Sequence, residues 1–369
     1  MAVYTTIDDP AEYFNTILYT GDIVDGDGSG HTQAITGVGF SPDLVWHKGR
    51  SHTCPTPCVD TVRGTSSYNF LKTSESAAEV TANVNGAIKT IDSDGITVEA
   101  GTDSSSKSNN AGANGRTYVF WNWLTGTSFS NDQSATSVGT IDSAGSVNTT
   151  AGISIIKYAG NSNGTTTHIA HGLSGVPEMY MVKSLDSVGN WQTYHHKNTS
   201  APETDNLQLD NPDATADYTF WGDTLPTSTV FTVKDGNDVN ESGEEFMCYL
   251  FRSIQGYSKV GSFTGNGNTN GAFVYTGFRP AWIMTKNIER SDNWMIFDNK
   301  RLGYNVDNNF TFPNLGNTEV DSDQIDILSN GFKCRNTNDA INSSGEVTVY
   351  MAFAEAPFVN SKGVPCNAR

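Results

Sequence analysis

Three stretches of the 369-residue chain run in one register. Each opens on an aromatic-x-Gly triplet: Tyr19-Thr20-Gly21, Tyr158-Ala159-Gly160 and Phe263-Thr264-Gly265. Each then reaches a proline with a lysine at constant spacing: Pro42 and Lys48, Pro177 and Lys183, Pro280 and Lys286. Thr56, Trp191 and Trp294 follow at matched positions, and so do Asp60, His195 and Asp298. The first and third copies continue as D-x-x-R, Asp60…Arg63 and Asp298…Arg301. Every copy closes on a glycine and an apolar run: "GRTYVFWNW" (115–123), "GEEFMCYLF" (243–251) and "GEVTVYMAF" (345–353). Copies two and three precede that glycine with Asn240 and Asn342, where the first copy has Gly112. A repeat of this kind constrains the fold before any local signal does, and its period of about 105 residues is too long for a solenoid. It predicts three tandem small domains.

The layout that follows is residues 1–126 for an N-terminal segment with the first repeat, which could serve as a docking module. A Ser/Thr/Gly-rich linker spans 127–150, the second repeat 151–256, and the third repeat with a C-terminal tail 257–369. Repeats two and three join directly through "IQGYSK" and should pack against one another.

Within each copy, the second to fourth residues after the proline are apolar: Leu44-Val45-Trp46, Met179-Tyr180-Met181 and Trp282-Ile283-Met284. Uninterrupted apolar runs of this length read as strands buried on both faces, and so do the closing runs. Turn chemistry separates the runs, as in "DSDG" (92–95), "DGND" (235–238) and "LSNG" (328–331). Charged residues make up only 17% of the chain against 36 glycines, a balance that favours strands and turns over helices. The fold class predicted is all-β: three tandem antiparallel β-sandwich units, jelly-roll or lectin-like. One short helix is predicted over 10–15, with Asp9 as its cap and Pro10 at its first position.

The net charge of −18 would repel a phosphate backbone, so nucleic acid is disfavoured and no such partner is expected. No apolar run has the length of a membrane span, and "MAVYTTIDDPAEYF" carries no signal-peptide pattern. Five scattered cysteines do not form a disulfide framework, which fits synthesis in a reducing cytosol.

Several patterns invite a chemical reading. The D-x-x-R pairs recur in two copies, whereas a catalytic centre normally occurs once and needs partners, so they read as structural ion pairs. His168 with His171, and His195 with His196, lack a third ligand at metal-binding spacing, as does the pair Cys54 and Cys58. No nucleophile elbow, metalloprotease or phosphate-loop motif is present, so no enzymatic activity is expected. "NWQTYHH" (190–196), "YTFWGD" (218–223) and "NWMIFDN" (293–299) combine aromatics with amides and acids, the composition of sugar contacts. Trp191, Tyr218, Trp221 and Trp294 are therefore the candidate glycan contacts. Trp191 and Trp294 sit at matched positions that suit a core, whereas Trp221 has no counterpart and is the preferred surface residue.

"DIVDGDGSGH" (22–31) imitates a calcium loop through Asp25, Asp27, Ser29 and Gly30. Position twelve, counted from Asp25, is Thr36, where such a loop needs a bidentate glutamate. The stretch is expected to be an enlarged hairpin loop with no resident cofactor. Asp22, Asp25 and Asp27 are the ligands calcium would use there.

"YTTIDDPAEYFNTILYTG", "ITGVGFSPDLVWHK", "GFRPAWIMTK" and "YMAFAEAPF" resemble segments of a group of virion proteins from tailed bacteriophages, common in marine phage and described as tail-fibre or structural proteins. The "HTCPTPCVDTVRG" stretch departs from that group's shorter approach to its D-x-V-R-G element. The resemblance implies a setting: a structural virion protein, made in the host cytoplasm and exposed on the particle. It implies other virion proteins as partners, a homo-oligomer such as a trimer, and a tail-fibre or adhesin role that includes binding a host-surface glycan or receptor. Capsid decoration or a head spike is the alternative, and a glycan-degrading tail enzyme a more distant one.

Overall fold

The computed structural model describes residues 4–24, 30–65, 68–103, 110–162, 164–234, 236–301, 305 and 309–367. They form an all-β protein of antiparallel sheets. One strand order appears three times. In the first sheet the opening strand Phe14–Thr20 pairs with the closing strand Thr117–Trp123. Next come the proline strand Leu44–Gly49, the acid strand Pro57–Asp60 and a short edge strand, Leu71–Lys72. The second sheet repeats that order with Ile153–Ala159, Glu245–Phe251, Met179–Ser184, Gln192–His195 and Asp205–Gln208. The third does so with Ser258–Thr264, Val347–Pro357, Phe278–Asn287, Met295–Asp298 and Phe310–Thr311. A smaller sheet of two or three strands covers one face of each.

The glycines that mark the repeat hold opening and closing strands together. Gly115, Gly243 and Gly345 have φ of +72°, +87° and +84°, the left-handed region that glycine enters without a Cβ penalty. Each donates its N–H to the carbonyl of the triplet glycine, Gly21, Gly160 or Gly265. At those triplet glycines an added Cβ would lie 2.2 Å from a backbone oxygen, so no side chain fits. Asn240 and Asn342 accept N–H bonds from Asn161 and Asn266 at 3.0 Å, fixing the loop after the triplet. In the first unit a side chain at Gly112 would meet Ile23 at 2.7 Å, which explains the departure there.

The apolar runs divide their residues between two cores, as the pleat requires. Val45, Tyr180 and Ile283 point into the three sandwich interiors, one for each unit. Their neighbours Leu44, Trp46, Met179, Met181, Trp282 and Met284 point the other way, into one hydrophobic core shared by all three sheets. Trp46, Trp123 and Trp282 meet edge to face there, with ring centroids 5.6–6.2 Å apart. The second unit contributes Met179, Met181 and Met247, flexible side chains that fill the space around these rings. The repeats expected as tandem domains are thus joined through a common centre, because each large sheet is apolar on both faces.

The stretch 127–150, expected to be a linker, contains the strands Thr127–Asn131 and Ser143–Asn148. The second of these pairs with Ile153–Ala159 and covers an edge that would otherwise be free. Gly145 permits the approach, since a Cβ there would stand 1.8 Å from the Ile155 oxygen. Its small polar residues suit a solvent-facing edge strand as well as a linker, so composition did not separate the two. The helix predicted over 10–15 is a single 3₁₀ turn, Pro10–Glu12, whose Ala11 N–H is capped by Asp9 at 3.1 Å.

Candidate functional site

The repeated polar residues lie in the seams between units. In the first unit Arg63 Nε donates to Asp60 at 2.6 Å and Nη1 to Glu79 at 2.9 Å. In the third, Arg301 bonds Asp298 at 2.6 Å and Glu319 at 3.1 Å. The matching residues of the second unit form an uncharged version, His195, Asn198 and Thr215, in which the Thr215 hydroxyl donates to Asn198. Each set faces the closing strand of the next unit. Tyr249 Oη donates to Asp60 at 2.7 Å, His195 Nε2 to the Tyr350 carbonyl at 3.3 Å, and Trp121 Nε1 to Asp298 at 3.1 Å. Backbone bonds repeat the cycle: Glu79 N to Leu185 O, Thr215 N to Ile288 O and Glu319 N to Arg50 O. The third unit therefore closes back on the first, and the D-x-x-R pairs are ion pairs within the seams. His195 accepts from Lys197 N at Nδ1, and burial lowers its pKa to about 3, so the ring is neutral.

The recurring lysines are also buried. Lys183 and Lys286 donate to backbone carbonyls at 2.7–3.3 Å, and Lys48 to Thr56 Oγ1 and the Leu315 carbonyl. Burial pushes each ammonium down to about 8.

Three of the four candidate glycan contacts belong to these interiors. Trp191 and Trp294 are buried in the shared core and donate to the Lys72 and Gln208 carbonyls of the preceding unit, each at 2.9 Å. Trp221, the preferred surface residue, is 0% exposed. Its indole donates to Asp205 O at 3.1 Å, and its ring meets Tyr180 edge to face at 4.9 Å. The small sheet has two strands in this unit and three in the others, and Trp221 occupies the interior beside them. Its uniqueness in the repeat reflects that local difference. Tyr218 is exposed, stacked on Phe220 at 5.1 Å.

Asp22 is exposed, while Asp25 and Asp27 fall outside the described residues. Among the described residues no three His, Cys, Asp or Glu side chains converge as a metal site. His168 and His171 bond separate partners, Thr232 Oγ1 and Thr227 O. All five cysteines are free thiols.

One surface feature with binding geometry is a groove between the second and third units. One hollow of about 500 Å³ is lined by Glu178, His196 and Lys197 of the second unit and by Lys259, Phe273 and Tyr275 of the third, among others. A second, of about 390 Å³, continues it past Tyr4 and Gln255 and shares Ser253, Lys259 and Tyr275 with the first. These volumes fall in the range of small-ligand sites. Phe273 and Tyr275 lie on one face of the strand Phe273–Tyr275, each 49% exposed, while Val274 between them enters the third sandwich. Along a strand, residues two apart lie about 7 Å apart on the same face, so the two rings project side by side. Tyr4 Oη donates to Gly277 O at 2.8 Å and lies 3.1 Å from Tyr275 Oη, holding that end of the groove.

His196 Nε2 donates to Val260 O at 3.2 Å, and burial lowers its pKa, so it is neutral near pH 7 and leaves Nδ1 as an acceptor. Glu178 is engaged by Ser253, whose N–H it accepts at 2.8 Å. The sequence marks this site only faintly. "AFVYTGF" reads as an apolar strand, and the signal within it is the alternation of two aromatics around one valine.

No curated protein and no solved structure matches the chain. A family model described as "Domain of unknown function (DUF7483)" matches residues 9–357, which take in all three sheets, so the chain belongs to that family.

Proposed function

We propose that the chain is a structural binding module of a tailed-phage virion, placed in a tail fibre or adhesin, that presents the groove between its second and third units to glycan on the host surface. The observation that carries this reading is the pair Phe273 and Tyr275, half exposed side by side along a groove of ligand size. Aromatic faces of this kind pack on the apolar faces of sugar rings. The repeated polar groups are engaged in the seams or with the backbone of their own units, which favours a rigid framework over a reactive centre. The virion setting draws on the resemblance of the opening, proline and closing segments to phage structural proteins.

Glycan-array binding by the intact chain tests the site. Phe273→Ala with Tyr275→Ala should lower binding at least tenfold, an effect on the order of 1.4 kcal/mol. Unchanged binding by that variant would remove the groove from the proposal. Immunogold labelling of whole particles tests the setting: label at the tail supports it, and label over the head overturns it.

A further inference from the structure

We infer that the groove selects an anionic saccharide, one whose carboxylates pair with Lys197 and Lys259 while its rings lie on Phe273 and Tyr275. This rests on the glycan-binding reading above and adds the charge class of the ligand. The chain has 40 acidic and 22 basic residues, so cationic groups are the minority on it. Elsewhere on the surface several basic side chains are paired: Lys89 with Glu99, Lys157 with Glu245, Arg279 with Glu355, and Arg290 with Glu346.

Among the described residues neither Lys197 nor Lys259 has an ion-pair partner, although Glu178 lines the same hollow. Glu178 is turned to Ser253, accepting both its N–H and its hydroxyl. The two lysines line the hollow from opposite units, Lys197 beside His196 in sequence and Lys259 across the seam, and both oppose protonation of His196, which Glu178 favours more strongly. Two lysines from opposite units therefore line one hollow beside a neutral imidazole and the exposed rings of Phe273 and Tyr275. A neutral sugar is met by amides and carboxylates that match its hydroxyls, whereas paired ammonium groups match carboxylates. The net negative charge of the rest of the surface repels an anion at long range, so this local pair acts as a selector and not as a steering field.

The test compares saccharides that differ only in charge. Oligogalacturonate and oligosialic acid, each alongside its methyl-esterified form, are titrated into the intact chain by calorimetry. The acid forms should bind more tightly than the esters and weaken with added salt. Lys197→Met and Lys259→Met should each reduce acid-form affinity about fivefold and leave ester binding unchanged. Far-ultraviolet circular dichroism matching the parent chain shows that these variants fold. Equal affinity for acid and ester, with both lost in Phe273→Ala/Tyr275→Ala, would overturn the anionic inference and retain the glycan groove. Binding of neither form, or binding that survives the aromatic variant, would overturn the groove reading as well.

Discussion

Replacing Arg63 by asparagine isolates the energetics of one seam. Arg63 is 1% exposed and its partners Asp60 and Glu79 are 0% and 14% exposed at their side chains. Its guanidinium also donates to the Cys58 carbonyl at 2.9 Å. Removing it leaves Asp60 with a hydroxyl from Tyr249 and a backbone N–H, but without a counter-ion. Stranding a buried charge in this way costs about 3–5 kcal/mol, a large share of the roughly 5–15 kcal/mol that holds a typical domain folded. The second unit supplies the control, because His195, Asn198 and Thr215 occupy the same three places without charge. Asp60→His with Arg63→Asn and Glu79→Thr should therefore recover most of the loss and lie within about 1.5 kcal/mol of the parent, as neutral replacements of buried ion pairs often do. Equilibrium urea unfolding followed by tryptophan fluorescence measures both variants. A single-variant loss below about 1 kcal/mol, or a triple variant no more stable than the single, would refute the account of a strained charge in the seam.

Other expectations follow from the same geometry. Gly160→Ala drives a Cβ to 2.2 Å from Glu241 O and should destabilise by about 3 kcal/mol or more, read as a lowered urea midpoint. Trp221→Ala should cost about 3–5 kcal/mol and leave glycan binding at the groove unchanged in the folded fraction, since the ring is core. Lys183 has a folded pKa of about 8 against an ordinary 10.5, so the unfolded chain binds more protons between those values and stability rises with pH there. The urea midpoint should climb from about pH 7.5 to about pH 9.5, with a smaller slope in Lys183→Met. His171 is pushed by burial down to about 4 from 6.5, so the unfolded state takes up its proton first and stability falls as pH drops through that interval. His171→Gln should lessen the fall in urea midpoint between about pH 7 and about pH 5.

Much of the fold was legible because it rests on local rules. Apolar runs such as Leu44–Trp46 announce doubly buried strands, and glycines at Gly21, Gly160 and Gly265 mark where backbones touch. The turns "DSDG" and "LSNG" fall between paired strands, with Asp92 opposite Gly95 and Leu328 opposite Gly331. The site was much less legible. Trp221 and Phe273 are both aromatics in turn-rich surroundings, yet one is sealed in a sandwich and the other half open to water. Nothing in their neighbours along the chain distinguishes them, because exposure depends on what docks from elsewhere.

The sequence by itself determined the shared spacing of the three copies, the strand character of their apolar runs, and the ion-pair reading of Asp60 with Arg63 and Asp298 with Arg301. Those properties follow from spacing and side-chain period. Only the tertiary structure decided that the three large sheets share one core, that 127–150 supplies strands, and that Lys197 and Lys259 line one hollow from opposite sides of a seam. Each of these depends on which strand faces meet, and that is settled when the second face of every sheet must also leave water.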